Sequence, residues 1–244
     1  TMRIGYATML TEANDELMTI FRKISNDNES VTLLNTYRGF PINYPATIVA
    51  VDRGMVGLSV HPHQAVCMAL EGKTYLQSQR LLQTYRANVV GADVPKQRVA
   101  LMEFVESGNK VGLRTAIRVH PNEPIDAEIY DGRRRIGGKI ADISSTGVGV
   151  CTFAAYIYGD LSFEKEKEVY VDFRLPNTET IVRFNGRVTN VVDQEGTFLH
   201  RLGIRIFPNP EVEPLLLSYI QQREKETLGE LQLIFESMCK DKAG

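Results

Sequence analysis

Tryptophan is absent from this 244-residue chain, and cysteine is scarce: Cys67, Cys151 and Cys239 are the three present. They are odd in number, far apart and form no CxxC, which argues against a disulfide framework or a thiolate metal site. No charge of one sign dominates. Lys and Arg number 28 against 30 Asp and Glu, a net charge of −2, so no global basic field draws in nucleic acid or anionic membrane. An anionic partner has to be caught locally. Long hydrophobic runs are missing as well: none approaches the ~20 residues of a membrane span, and no signal-peptide apolar segment opens the sequence. The expectation is a cytoplasmic, reduced protein. Signatures of catalysis are equally lacking, with no GxSxG, HExxH or GxxxxGK(S/T). Glu164 and Glu166 sit in the charge run EKEKE, which reads as a solvated face rather than a paired acid and base. His61-Pro62-His63 with Cys67 four residues on lacks a third and fourth ligand nearby, so it reads as a surface turn. The chain is therefore read as a non-enzyme holding neither metal nor cofactor.

What is present is ordinary globular composition, 43% hydrophobic and 24% charged, enough for one large domain or two of about 120 residues. From Thr11, a candidate N-cap, Leu17, Ile20, Phe21 and Ile24 fall at helical spacing. Short β-like runs follow, VTLLNTY, PATIVAV, GLSV, KTYLQ and YRANVVGA, with a short helix between Pro62 and Leu70. QRVALMEFV reads as a further short helical piece before the basic linker SGNKVGLR. Strands resume with IDAEIYD, RRIGGKIADI, GVGVCTF, EVYVDFRL, TIVRFNGRVTNVV and FLHRLGIRIF. Residues 211–240 are dense in helix formers, with Leu216, Tyr219 and Ile220 on one face and Leu231, Phe235 and Met238 further on. This is one long helix, half packed on a barrel and half free for another surface or for dimerisation. Monomer and dimer both stay open.

No strand is followed by a crossover helix, so the strands predict closed barrels rather than a parallel sheet. Residues 48–60 (IVAVDRGMVGLSV) also align with residues 140–152 (IADISSTGVGVCT) at an offset of 92. The fold expected is mainly β with flanking helices: two small split β-barrels in tandem, over 1–110 and 111–244, behind an N-terminal helix and ahead of a long C-terminal one.

Two short motifs carry the chemistry. Residues 108–119 (GNKVGLRTAIRV) hold three positive charges and no acid, with Arg114 and Arg118 four apart. Further on, Asp142-Ile143-Ser144-Ser145-Thr146-Gly147 ends a strand with an acceptor, a hydroxyl and a glycine-permissive turn. Each alone is weak. In this order they resemble the PilZ family, whose members bind the second messenger cyclic di-GMP through RxxxR and (D/N)xSxxG. The resemblance covers about residues 112 to 225, includes GVGV with Gly149 and the late RLGIRIF, and with the preceding β-rich half is similar to the two-domain flagellar-brake branch. It implies a ligand site of Arg114, Arg118, Asp142, Ser144, Gly147 and Gly149, with Leu113 ahead of RxxxR influencing how many ligands bind.

The chemistry suits that ligand. A guanidinium can fork guanine O6 and N7 or a phosphate, and an ionised Asp accepts from guanine N1–H and N2–H. The aligned amino-terminal positions are Ala50, Asp52 and Met55, so a second ligand site is not expected there. The function implied is a receptor that changes inter-domain orientation on binding and signals to a protein partner, a flagellar motor or other envelope component, in motility or biofilm control. A cyclic di-GMP-responsive transcription regulator and a relative that has lost binding are the alternatives. A pI of about 6.1 and a mixed-charge C-terminal helix count against DNA.

Overall fold

The computed structural model describes residues 15–107, 116–153, 165–176, 180–193 and 199–240. Helix α1 covers 15–26, and the expected cap Thr11 lies outside the described residues. Leu17, Phe21 and Ile24 recur at helical spacing and are buried, with the Phe21 ring 5.0 Å from that of Phe104. Six strands follow: β1 (Ser30–Tyr37), β2 (Phe40–Asp52), β3 (Met55–Ser59), β4 (Lys73–Gln77), β5 (Tyr85–Asp93) and β6 (Arg98–Glu106). They close into a barrel in the order β1-β2-β3-β6-β5-β4, sealed by antiparallel pairing of β1 with β4 (Leu33 opposite Leu76). Alternation explains the inward set, as at Val31 and Leu33 on β1 and Val56 and Leu58 on β3.

The stretch QRVALMEFV is not helical; it forms β6. Its Ala, Leu, Met and Glu favour a helix, but Val99 and Leu101 also alternate inward. Both edges of the strand are paired as well, Val99 to Leu58 of β3 and Leu101 to Val89 of β5, and this tertiary ladder outweighs local propensity.

Helix α2 (Pro62–Glu71) stands where a short helix was expected. Pro62 needs no N–H in the first turn, and His61 caps it: its Nδ1 accepts from the His63 backbone N–H at 3.2 Å. The His61 ring stacks on Tyr44 at 3.7 Å. Burial, then the neighbouring His63, hold the His61 pKa below its ordinary value. Histidine and cysteine here serve the helix: Cys67 is buried on α2, and burial followed by the Glu71 charge push its thiol up to about 12.

The second barrel uses β8 (Asp126–Tyr130), β9 (Arg135–Ser144), β10 (Gly147–Phe153), β11 (Glu168–Arg174), β12 (Ile181–Asp193) and β13 (Leu199–Ile206). Their order is β10-β13-β12-β11-β8-β9, closed by β9 pairing with β10; the two-residue strand β7 (Arg118–Val119) adds to the far end of β9. Strand for strand this repeats the first barrel's order. Phe173 and Phe184 meet edge to face at 6.4 Å inside it, and truncating either to Ala should remove about 3 to 5 kcal/mol.

Helix α3 (Val212–Lys240) starts where the Asn209 side chain accepts from the Glu211 and Val212 backbone N–H groups at 3.0 and 3.3 Å. Leu216, Tyr219 and Ile220 are buried. The expectation of a free second half fails, since Thr227 and Leu231 are buried as well. The chain divides into two compact units: one is built on the first barrel and includes α3 from Thr227, the other is built on the second barrel and includes α3 to Glu226. Within the first unit, His63 Nε2 lies 3.3 Å from Gln232 Oε1. Among the described residues, no helix is long and apolar enough to cross a membrane.

The β8–β9 hairpin turns at Asp131, whose Oδ1 accepts from the Arg133 and Arg134 backbone N–H groups at 2.9 Å each, while Lys167 Nζ lies 2.8 Å from Oδ2. Lys167, then the two turn amides, hold the Asp131 carboxyl well below the usual carboxylate range. Its contribution is therefore present above the unfolded carboxyl pKa of about 4 and is lost as pH falls through the acid range. Asp131→Ala should lower stability at neutral pH by about 1.5 to 3 kcal/mol in urea unfolding. The gap from wild type should narrow below about pH 4.

Candidate functional site

Asp142 lies two residues from the end of β9, just before the hairpin into β10. The turn is tight: Ser144 pairs with Gly147, and the Ser144 Oγ–H donates to the Gly147 carbonyl at 2.9 Å. This hydroxyl, expected to face a ligand, is buried and holds the turn. Gly147 is demanded by space, because a Cβ there would stand 2.6 Å from the Ile204 carbonyl oxygen of β13.

Two guanidiniums converge on the Asp142 carboxylate. Arg118 Nη1 is 3.5 Å from Oδ1, and Arg201 Nη2 on β13 pairs with Oδ2. The Asp142 side chain is 2% exposed, but those of Arg118 and Arg201 are 43% and 40% exposed. The arginines thus cover a buried acid and keep N–H groups toward solvent. Two cations around one anion leave one positive charge in excess, which suits a phosphate-bearing ligand.

Backbone register places these groups. Arg118 sits on β7 opposite Ser144, which brings RxxxR and the Asp-Ser turn side by side although they are distant in sequence. Gly149 on β10 lies opposite Asp142, and any Cβ there would collide with the Asp142 carboxylate and lie 3.1 Å from Arg201 Nε. Across the sheet the row continues from Gly149 to Gly203 on β13 and Asn190 on β12. The result is a shelf of Asp142, Gly149, Gly203 and the exposed Asn190 amide, open where glycines leave out side chains.

The structure therefore gathers Arg118, Asp142, Ser144, Gly147 and Gly149 at one place. Leu113 and Arg114 lie outside the described residues. Arg201, Gly203 and Asn190 were not singled out from sequence. Alternation in LHRLGIRIF puts Arg201 and Gly203 on one outward face, a usable signal, but their nearness to Asp142 needs the β9-β10-β13 order.

The first barrel repeats the geometry without the carboxylate, although Asp93 and Arg98 also line its row. Gly57 pairs with Ala50 where Gly149 pairs with Asp142, and the row runs on through Ala100 to Gly91. Register shifts recur at matching places in both barrels: beside Ala50 and Asp142, and beside Gly91 and Asn190. Here the row lines an apolar groove of about 400 Å³ that includes Val49, Gly57 and Ala100. Neither an acceptor nor a guanidinium pair is built at Ala50.

Residues 113–222 match the PilZ domain family. No curated protein matches the chain. Among solved structures it is similar to the Bacillus subtilis inhibitor of motility MotI/DgrA, at 13% identity over 82% of this chain and 97% of that one with a TM-score of 0.40. Similar too is Escherichia coli YcgR in complex with c-di-GMP, at 12% identity over 88% and 92% with a TM-score of 0.42. The K. pneumonia MrkH–c-di-GMP complex gives 14% identity over 87% and 96% with a TM-score of 0.42.

Gly147→Ala should lower stability by about 1 to 3 kcal/mol, because the clash is with backbone. Gly137→Ala on the same β9 is the contrast: nothing lies within 4 Å of its Cβ, so its urea midpoint should stay level or rise slightly.

Proposed function

We propose that this chain, whose residues 113–222 match the PilZ domain family, is a receptor for cyclic di-GMP. One observation carries the reading: a buried Asp142 carboxylate capped by two half-exposed arginines on a glycine-floored shelf. In the free protein the arginines neutralise Asp142. A guanine entering over Gly149 and Gly203 offers its N1–H and N2–H groups to that carboxylate and its O6 and N7 to a guanidinium. One set of charge-assisted bonds replaces another, and no charge is left buried and unpaired. The second arginine, together with Arg114 of RTAIR, meets the ligand phosphates. Adenine presents no matching N1–H donor to Asp142 and is rejected on that edge. Ser144 and Gly147 act through the turn that holds Asp142 in place.

In this reading the protein binds and signals without turning its ligand over. It works in the cytoplasm as two domains, 1–110 and 111–244, with RTAIR in the linker between them. Capture of the ligand by Arg114 and Arg118 draws the linker in and alters the angle between the domains, by as much as the ligand's differential affinity for the two arrangements allows. A protein partner in motility control reads the result, and the shelf around Ala50, which has no carboxylate at the place of Asp142, is kept for protein contacts rather than for a second ligand.

Calorimetric titration of cyclic di-GMP into the intact chain should show micromolar or tighter binding. Arg118→Ala and Asp142→Ala should each weaken it by about 10- to 100-fold. No heat with a folded wild-type protein would refute the reading.

A further inference from the structure

The bulkiest of the fully buried side chains among the described residues is a charged one, Arg223 on α3, at 2% exposure. A charge at that depth is costly unless paired, and the pairing here is specific. Arg223 Nη1 pairs with Glu226 Oε2, and Gln222 Nε2 donates to Glu226 Oε1 at 2.9 Å. Burial works against the Glu226 carboxylate, but the bonds from Gln222 and Arg223 hold its pKa below the ordinary value. The remaining fork of Arg223 does something else: Nε donates at 3.2 Å to the backbone carbonyl of His120.

His120 directly follows β7, the strand that carries Arg118. β7 is two residues long, and its ladder is Arg118 opposite Ser144 and Val119 opposite Ile143. So short a strand has little hold of its own; beyond it the His120 N–H donates to the Arg38 carbonyl at 3.1 Å, and the charge-assisted bond from Arg223 to the His120 carbonyl is a second anchor. The same guanidinium is part of α3 through Glu226. Arg118, His120, Arg223 and Glu226 all belong to the second compact unit.

We infer that Arg223 is a positioning residue that ties the arginine strand β7 to helix α3, so that ligand capture at Arg118 is transmitted to α3. The inference rests on the cyclic di-GMP reading of the site. Movement of β7 toward a ligand shifts the His120 carbonyl, and the buried Arg223 guanidinium must follow it or lose a bond. A buried donor cannot be left unmatched cheaply, and this makes the link stiff.

The test is hydrogen exchange of residues 116–121 and 213–226, with and without saturating cyclic di-GMP, alongside calorimetry of the same samples. In wild type the bound ligand should slow exchange in 213–226 by about tenfold. In Arg223→Met the free protein should exchange faster at 116–121, and bound ligand should leave 213–226 unchanged. Val171→Ala, a core truncation in the same barrel, should lose stability but keep the helix response, which separates coupling from general weakening. Should Arg223→Met fail to fold, Arg223→Lys keeps a charge for Glu226 without the Nε–H for His120 and should also lose the response. Ligand heat in wild type without any change in 213–226, or a full response in Arg223→Met or Arg223→Lys, would overturn the coupling alone. Absence of ligand heat in wild type would overturn the receptor reading and the inference with it.

Discussion

A single carboxylate organises the second barrel's working face. Asp142 is buried, yet it lies at a hairpin mouth between two arginines that remain partly in water. The other features of the face answer to it. Gly149 gives its oxygens room, the Ser144–Gly147 bond fixes the turn beyond it, and β7 pairs beside it to deliver Arg118. A buried acid needs cations, and those cations are themselves what an anionic ligand seeks. In the proposed reading, the free state is held by the same groups that would meet the ligand.

The two barrels show how little of a site is architecture. They share strand order and register shifts, and in each a row of small residues crosses matching strands. The second row contains Asp142 and is covered by guanidiniums; the first has Ala50 at that point and is apolar. Substituting a methyl for a carboxylate removes the reason for the arginines and leaves a surface suited to hydrophobic contact. The fold supplies the shelf, and side-chain chemistry decides what sits on it.

Much of this was legible in the sequence because strand alternation and turn residues are local signals. Every β-like run read from it forms a strand, and the offset of 92 between the Val56-Gly57-Leu58 and Val148-Gly149-Val150 stretches reappears as matched register. Failures came where non-local partners decide. QRVALMEFV has helical composition but is paired on both edges, so its alternation prevailed. The second half of α3 was expected to stay free for another surface, but Leu231 is buried. Arg201 is half legible: alternation in LHRLGIRIF turns it outward, but its nearness to Asp142 depends on the β9-β10-β13 order. The reverse case is His61, which reads from sequence as part of a surface turn and is a helix cap stacked on Tyr44.

The central claim is that Asp142 and its arginines recognise a guanine edge rather than any dinucleotide. The most direct measurement is side-by-side calorimetry of the intact chain with cyclic di-GMP and with cyclic di-AMP at the same ionic strength. The two ligands share phosphates and ring, so charge attraction alone would treat them alike. The account predicts that cyclic di-GMP binds at least about 100-fold more tightly. Equal affinities would mean that the arginines act as a phosphate clamp and that Asp142 reads no base.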